Sequence, residues 1–194
     1  MTNEIKIDDI EFGDITIFAG HNATGKTKTI LSLLGSKFRR GTCLQVMHGY
    51  LTDDESVLQY KEQIVRTLDN PEDFAVVYLE NPEGKLYIRE LMDIATAIMH
   101  AVDYGTKVVV ETQSQDLFLA LQVLISERTV NGKPIINVPL YWFAKENDKV
   151  VITRGDLDSA GTYGEWEADW SYCRMDWQMR YMKAYDHIVC GIES

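Results

Sequence analysis

Short runs of β-branched and apolar residues alternate along the chain with longer stretches whose apolar positions return at helical spacing. Residues 15–19 (ITIFA) read as a buried strand, and 25–34 as a helix closed by Gly35. Residues 43–50 predict another strand. Residues 55–68 predict a helix with Val57, Ile64, Val65 and Leu68 apolar. FAVVYL (74–79) and KVVV (107–110) have the length and composition of strands buried on both faces. Between them, 86–102 carries Leu91, Ile94, Ala95 and Ile98 at helical spacing, and 114–126 repeats the pattern with Ser114 as N-cap. Strand–helix–strand alternation of this kind predicts an α/β fold with a mainly parallel central sheet flanked by helices. After Pro139 the period changes. Residues 140–145 and 150–154, joined by Glu146-Asn147-Asp148, predict an antiparallel hairpin. The last third is rich in Trp and Tyr, with a helix expected over 176–185.

Composition narrows the class. The 194 residues, 45% hydrophobic, suit one domain with a sizeable core, and no Pro/Ser-rich linker or internal repeat divides them. We expect a single domain over 1–194, with a core at 10–130 and a hairpin and aromatic-rich extension at 139–194. A net charge of −11 opposes wholesale binding to phosphate backbones or anionic lipid. The first ten residues lack the pattern of a secretory signal, and no apolar run approaches the roughly 20 residues of a membrane span. Cys43, Cys173 and Cys190 are far apart and form no CxxC pair. These features predict a reduced, cytoplasmic protein.

One motif carries the chemistry. Gly20-His21-Asn22-Ala23-Thr24-Gly25-Lys26-Thr27 completes the pattern G-x-x-x-x-G-K-[ST], with Lys28 following in the helix. Its glycines let successive N–H groups turn toward one phosphate. Lys26 offers positive charge to the β- and γ-phosphates, and Thr27 a hydroxyl to Mg²⁺. The helix behind adds the positive end of its dipole. An expected strand runs in and an expected helix runs out, so the loop predicts binding of a nucleoside triphosphate.

A P-loop enzyme needs a second buried strand to deliver a carboxylate beside the loop, to hold a water on Mg²⁺; here that strand-tip acid is Glu80. FAVVYL ends in Glu80-Asn81-Pro82-Glu83, and KVVV in Glu111-Thr112-Gln113-Ser114. Together with the P-loop, these strand ends resemble the ABC-type ATPase heads of the OLD (overcoming lysogenization defect) and RecF-like group, in particular a branch with an ENPE…ETHS pair. The resemblance takes in 118–125 and extends through LYWFAKENDKVVI toward 161–166. It implies an ABC-like P-loop NTPase fold, ATP and Mg²⁺ as ligands, Thr27 and Glu80 at the metal, and two heads or a partner protein closing on the nucleotide. It also implies a role in DNA repair or phage-related defence, with DNA engaged only through a partner.

The departures from that group bear on turnover. Asn81 stands where the wider ABC pattern has a catalytic Glu; it can orient water but cannot take its proton, which leaves Glu83 or Glu111 as acceptor. Gln113 replaces the switch His, and Leu86-Tyr87-Ile88 replaces a Leu-His-Pro. The stretch between Lys26 and Glu80 is short for an arm plus signature, and Ser56-Val57-Leu58-Gln59 lacks the signature's glycine. The expectation is an ATPase head with slow hydrolysis. The alternative is a non-hydrolytic ATP-binding scaffold that regulates a complex. A kinase ranks last, because no arginine-rich lid is visible between Ser126 and Pro139.

Other features read more blandly. His21, His48, His100 and His187 have no metal-site spacing. Trp166, Trp170, Trp177, Tyr163, Tyr172 and Tyr181 suit packing or a protein interface. Lys37, Arg39 and Arg40 form a small basic cluster, and Asp53-Asp54-Glu55 an acidic helix start.

Overall fold

A computed structural model of the chain describes residues 4–20, 23–38, 43–47, 54–69, 74–84, 86–162, 181–185 and 188. They contain β1 (Ile15–Gly20), α1 (Lys26–Lys37), β2 (Cys43–Met47), α2 (Asp54–Asp69), β3 (Val76–Glu80), α3 (Ile88–Asp103), β4 (Lys107–Glu111), α4 (Gln115–Val130), β5 (Pro139–Glu146) and β6 (Lys149–Asp156). The strands form one sheet in the order β2-β3-β4-β1-β5-β6. All pairings are parallel except β5 with β6 at the edge. This is the mainly parallel α/β sheet flanked by helices that the hydrophobic pattern predicts.

Helices cover both faces, and the strand sequences show it. Every residue of β1 is buried, as is required of a strand that alternation sends into two cores. On one side, Ile30, Leu33 and Leu34 of α1 meet Phe18, Tyr78, Val109, Tyr141 and Phe143. Phe18 stacks on its register partner Tyr141 with ring centroids 5.3 Å apart. On the other side, α3 packs between α2 and α4 over Ile17, Val77, Leu79, Val108 and Val110. Burial of many Val and Ile side chains at roughly 1.5–3 kcal/mol each is what holds the sheet and helices together.

Local chemistry sets the element ends. Ser114 Oγ accepts from the Leu117 N–H at 3.2 Å and caps α4. Glu90 Oε2 accepts from the Tyr87 N–H at 2.8 Å at the start of α3. The expected stop at Gly35 fails: α1 runs on to Lys37 and ends where the Phe38 N–H bonds the Leu34 carbonyl. A glycine inside a helix costs about 1 kcal/mol, and the buried Leu33 and Leu34 beside it outweigh that. The Lys37 ammonium also reaches the Ile10 carbonyl, drawing the last turn against the N-terminal segment.

The hairpin forms with a tighter turn than the sequence implied. Glu146 pairs with Lys149, so the turn is Asn147-Asp148, both at positive φ (47° and 61°). Such a turn matches the twist of the strands, and Asn and Asp tolerate it best. β5 also runs parallel to β1, which makes the hairpin part of the central sheet. The segment after β6 docks on α4, where Gln122 Nε2 donates to the Gly161 carbonyl and Ser126 Oγ to the Ala160 carbonyl. Residues 181–185 are helical; 176–180, most of the aromatic cluster and Arg39 and Arg40 lie outside the described residues. Among the described residues no helix is long and apolar enough to cross a membrane.

Candidate functional site

The parallel strands β1, β3 and β4 end at the same edge of the sheet, the edge where open α/β sheets collect ligands. There the chain leaves β1 through Gly20 and enters α1 at Lys26. The turn between them requires unusual backbone angles. Gly20 has φ of 123°, Ala23 59° and Gly25 80°. A Cβ at Gly20 would sit 2.1 Å from the Phe143 carbonyl oxygen, so the neighbouring strand β5 also excludes any side chain there. Left-handed residues in such a turn leave N–H groups pointing inward as an anion nest. Thr24 is buried, and Ala23 and Lys28 are exposed. His21 and Asn22 lie outside the described residues.

The Lys26 side chain is folded into this turn. Lys26 is 4% exposed, and its Nζ donates to the Gly20 carbonyl at 3.1 Å. Burial lowers its pKa, with the nearby Glu111 charge pulling the other way. A partly desolvated ammonium at the mouth of an N–H nest is a strong anion anchor. Thr27 Oγ1 points to the third strand end and donates to Glu111 at 3.0 Å and 2.9 Å from its two carboxylate oxygens. Glu111 is 4% exposed and accepts a further bond from the Tyr78 hydroxyl at 2.7 Å.

Tyr78 is a site residue that the sequence reading missed. It is fully buried, and burial followed by the Glu111 hydrogen bond raises its pKa well above the usual phenol value. It therefore stays protonated and always donates to Glu111. The signal was present: FAVVYL carries one hydroxyl, two residues before Glu80, and alternation puts both on the α1 face.

Glu80 and Glu111 are register partners, so both side chains face α1. Because β4 lies between β1 and β3, Glu80 is one strand further from the loop than Glu111. Among the described residues, the acid bonded to Thr27 is Glu111 rather than Glu80.

Beside this cluster lies a second group of residues. Asn81, Glu83, Gly84, Gln113 and Ser114 line an open cleft of about 380 Å³. Asn81 takes φ of 46°, a left-handed conformation that Asn tolerates better than most residues, and its N–H bonds the Glu111 carbonyl at 2.8 Å. Glu83 Oε1 accepts from the Gln113 N–H at 2.8 Å, which ties the loop after β3 to the loop after β4. Glu83 Oε2 is shut off from solvent with no hydrogen-bond partner among the described residues. Burial pushes the Glu83 pKa up against the pull of the Gln113 N–H. Gln113 itself is exposed.

The structure thus brings Lys26, Thr27 and Glu111 together in one cluster, and Asn81, Glu83 and Gln113 in another next to it. The first suits a Mg²⁺–phosphate group: hydroxyl and carboxylate oxygens are the hard donors that Mg²⁺ takes, and phosphates supply others. Among the described residues no group of three or more His, Cys, Asp or Glu side chains would hold a metal without such help.

No family model matches the chain. No curated protein matches it either. Among solved structures, the chain is similar to a chain in a model of ribosome-bound archaeal Pelota and ABCE1, at 11% identity and a TM-score of 0.39. The match takes in 90% of this chain and 38% of that one. A likeness of that size concerns chain layout only.

Proposed function

We propose that this protein binds ATP with Mg²⁺ on the 20–27 loop, hydrolyses it slowly, and works in the cytoplasm with a second copy or another protein. The observation that carries this reading is the buried Lys26 ammonium, bonded to Gly20 inside a left-handed turn between a buried strand and a helix N-terminus. An anionic ligand seated in this turn would meet that ammonium and the helix N-terminus together. Lys26 and the N–H groups of the loop bind the phosphates, and Thr27 holds the cation. The bound cation would neutralise charge developing on the phosphates.

The order of the three strand-end motifs supports a head of the OLD and RecF-like kind, serving DNA repair or phage-related defence through a partner. In that reading Asn81 and Gln113 orient water at the edge of the cleft. Of the two acids able to take its proton, Glu111 is engaged by two hydroxyl donors, which leaves Glu83, whose raised pKa suits a general base.

A second reading, an ATP-binding switch without turnover, draws on a specific observation: Glu83 Oε2, which has no hydrogen-bond partner among the described residues, is closed to solvent. Phosphate release separates the two. Steady release, lost in Glu83→Gln with ATP binding retained, supports the enzyme; tight binding with no release supports the switch.

The reading common to both is tested by thermal unfolding with and without ATP and Mg²⁺. Ligand at a hundredfold excess over Kd stabilises by about 2.7 kcal/mol, a rise in Tm of several degrees. The rise is expected in the wild type and absent from Lys26→Ala. No rise in either protein contradicts the reading.

A further inference from the structure

Resting on the nucleotide-binding reading above, we propose that the acid serving the Mg²⁺ side of the phosphate loop is Glu111, with Tyr78 as its positioning residue, in the place that motif order alone gives to Glu80. Three observations carry it.

The first is sheet order. β4 pairs directly with β1, and β3 lies beyond it, so the tip of β4 is one strand spacing, about 4.8 Å, nearer the loop.

The second is the direction of the Thr27 hydroxyl. A hydroxyl has one proton and two lone pairs. Thr27 gives its proton to Glu111, at 2.9 Å and 3.0 Å from the two oxygens, which leaves its lone pairs for a cation. The same carboxylate is then in place to hold a water of that cation.

The third is Tyr78. Its buried hydroxyl fixes Glu111 Oε2 at 2.7 Å. Burial without such contacts would make a carboxylate costly. A buried carboxylate held by hydroxyls on both sides, next to a buried ammonium, is a preset oxygen ligand. Residues that hold a metal's carboxylate in place in this way are typically worth 10- to 100-fold in metal affinity.

The test is titration of ATP into the full chain with Mg²⁺ and again with a chelator, the ratio of the two Kd values giving the contribution of the metal. In Glu111→Gln that ratio should shrink about tenfold or more, in Tyr78→Phe less, and in Glu80→Gln by under about threefold. If Glu111→Gln does not fold by circular dichroism, Tyr78→Phe against Glu80→Gln decides by the same ordering, since Phe conserves the buried volume. A loss in Glu80→Gln equal to or larger than that in Glu111→Gln or Tyr78→Phe overturns the assignment and leaves nucleotide binding standing. Wild-type protein that binds no ATP under either condition overturns both.

Discussion

Two halves of the same sheet edge solve the problem of buried polar groups in opposite ways. On the α1 side, Lys26 donates to the Gly20 carbonyl, and Thr27 and Tyr78 both donate to Glu111. At the neighbouring cleft, Glu83 keeps one oxygen bonded to Gln113 N–H and the other buried with no partner among the described residues. In the proposed reading the first half would take the phosphates and the cation, with its ammonium, hydroxyl and carboxylate already held by hydrogen bonds. The second is left incomplete and tolerates a left-handed Asn81 and a raised pKa at Glu83. In that reading the groups that would bind are tied down by hydrogen bonds, while the groups proposed for turnover line the open cleft. That division matches an ATP-dependent switch whose hydrolysis is slow.

The comparison can be broken by substitution. The largest effect should come from Gly20→Ala. The new methyl would meet the β5 backbone at a φ that Ala rarely adopts, and the loss should be about 3 kcal/mol. Urea unfolding would read it. Lys26→Met should act in the opposite sense on the empty protein. Burial lowers the lysine pKa, so its charged form costs stability at neutral pH, and removing it should raise stability by about 1 kcal/mol while ATP binding is lost. A destabilised Lys26→Met would mean that the ammonium is structural and not reserved for a ligand.

Glu83→Gln should also stabilise, by about 1 kcal/mol, or about 2–4 °C in Tm. The sign follows from the raised pKa. The folded state holds its proton more tightly than the unfolded one, so stability falls as pH rises through the folded pKa. The variant's advantage should therefore be present at neutral pH and vanish below the ordinary Glu value of 4.5.

The smallest effect belongs to the far end of the molecule. Asp103 sits exposed between Arg128 and Lys133, and although some desolvation opposes ionisation, the two cations hold its pKa below the usual value. Its contribution is present above the ordinary Asp value of 3.8 and fades as pH falls through the lower folded pKa. Asp103→Asn should cost less than about 1 kcal/mol at neutral pH, with no effect on ATP binding.

Much of this architecture is readable in one dimension, and its limits have a physical cause. The 20–27 motif is a local object: its glycines, lysine and threonine, and the strand and helix around it, are contiguous, so the strand before it and the helix after it could be read from the pattern. The Ser114 cap and the apolar spacing of α3 are local in the same way. Strand order is not local. Nothing in ITIFA, FAVVYL or KVVV states that the third runs between the other two, and that order is what brings Glu111 rather than Glu80 to Thr27. The pairing of β5 with β1 was hidden for the same reason. Gly35 shows a different limit, because a weak local stop signal lost to the burial of Leu33 and Leu34. Tyr78 was overlooked because a tyrosine in an apolar strand looks like core until its hydroxyl is seen to have a partner.

The central claim is that the 20–27 loop is a working nucleotide site, and isothermal titration of ATP with Mg²⁺ into the folded full chain tests it most directly. A working site gives a saturable heat that disappears in Lys26→Met, a variant expected to be at least as stable as the wild type. The absence of binding heat in a folded wild-type protein, or undiminished binding in Lys26→Met, would contradict it.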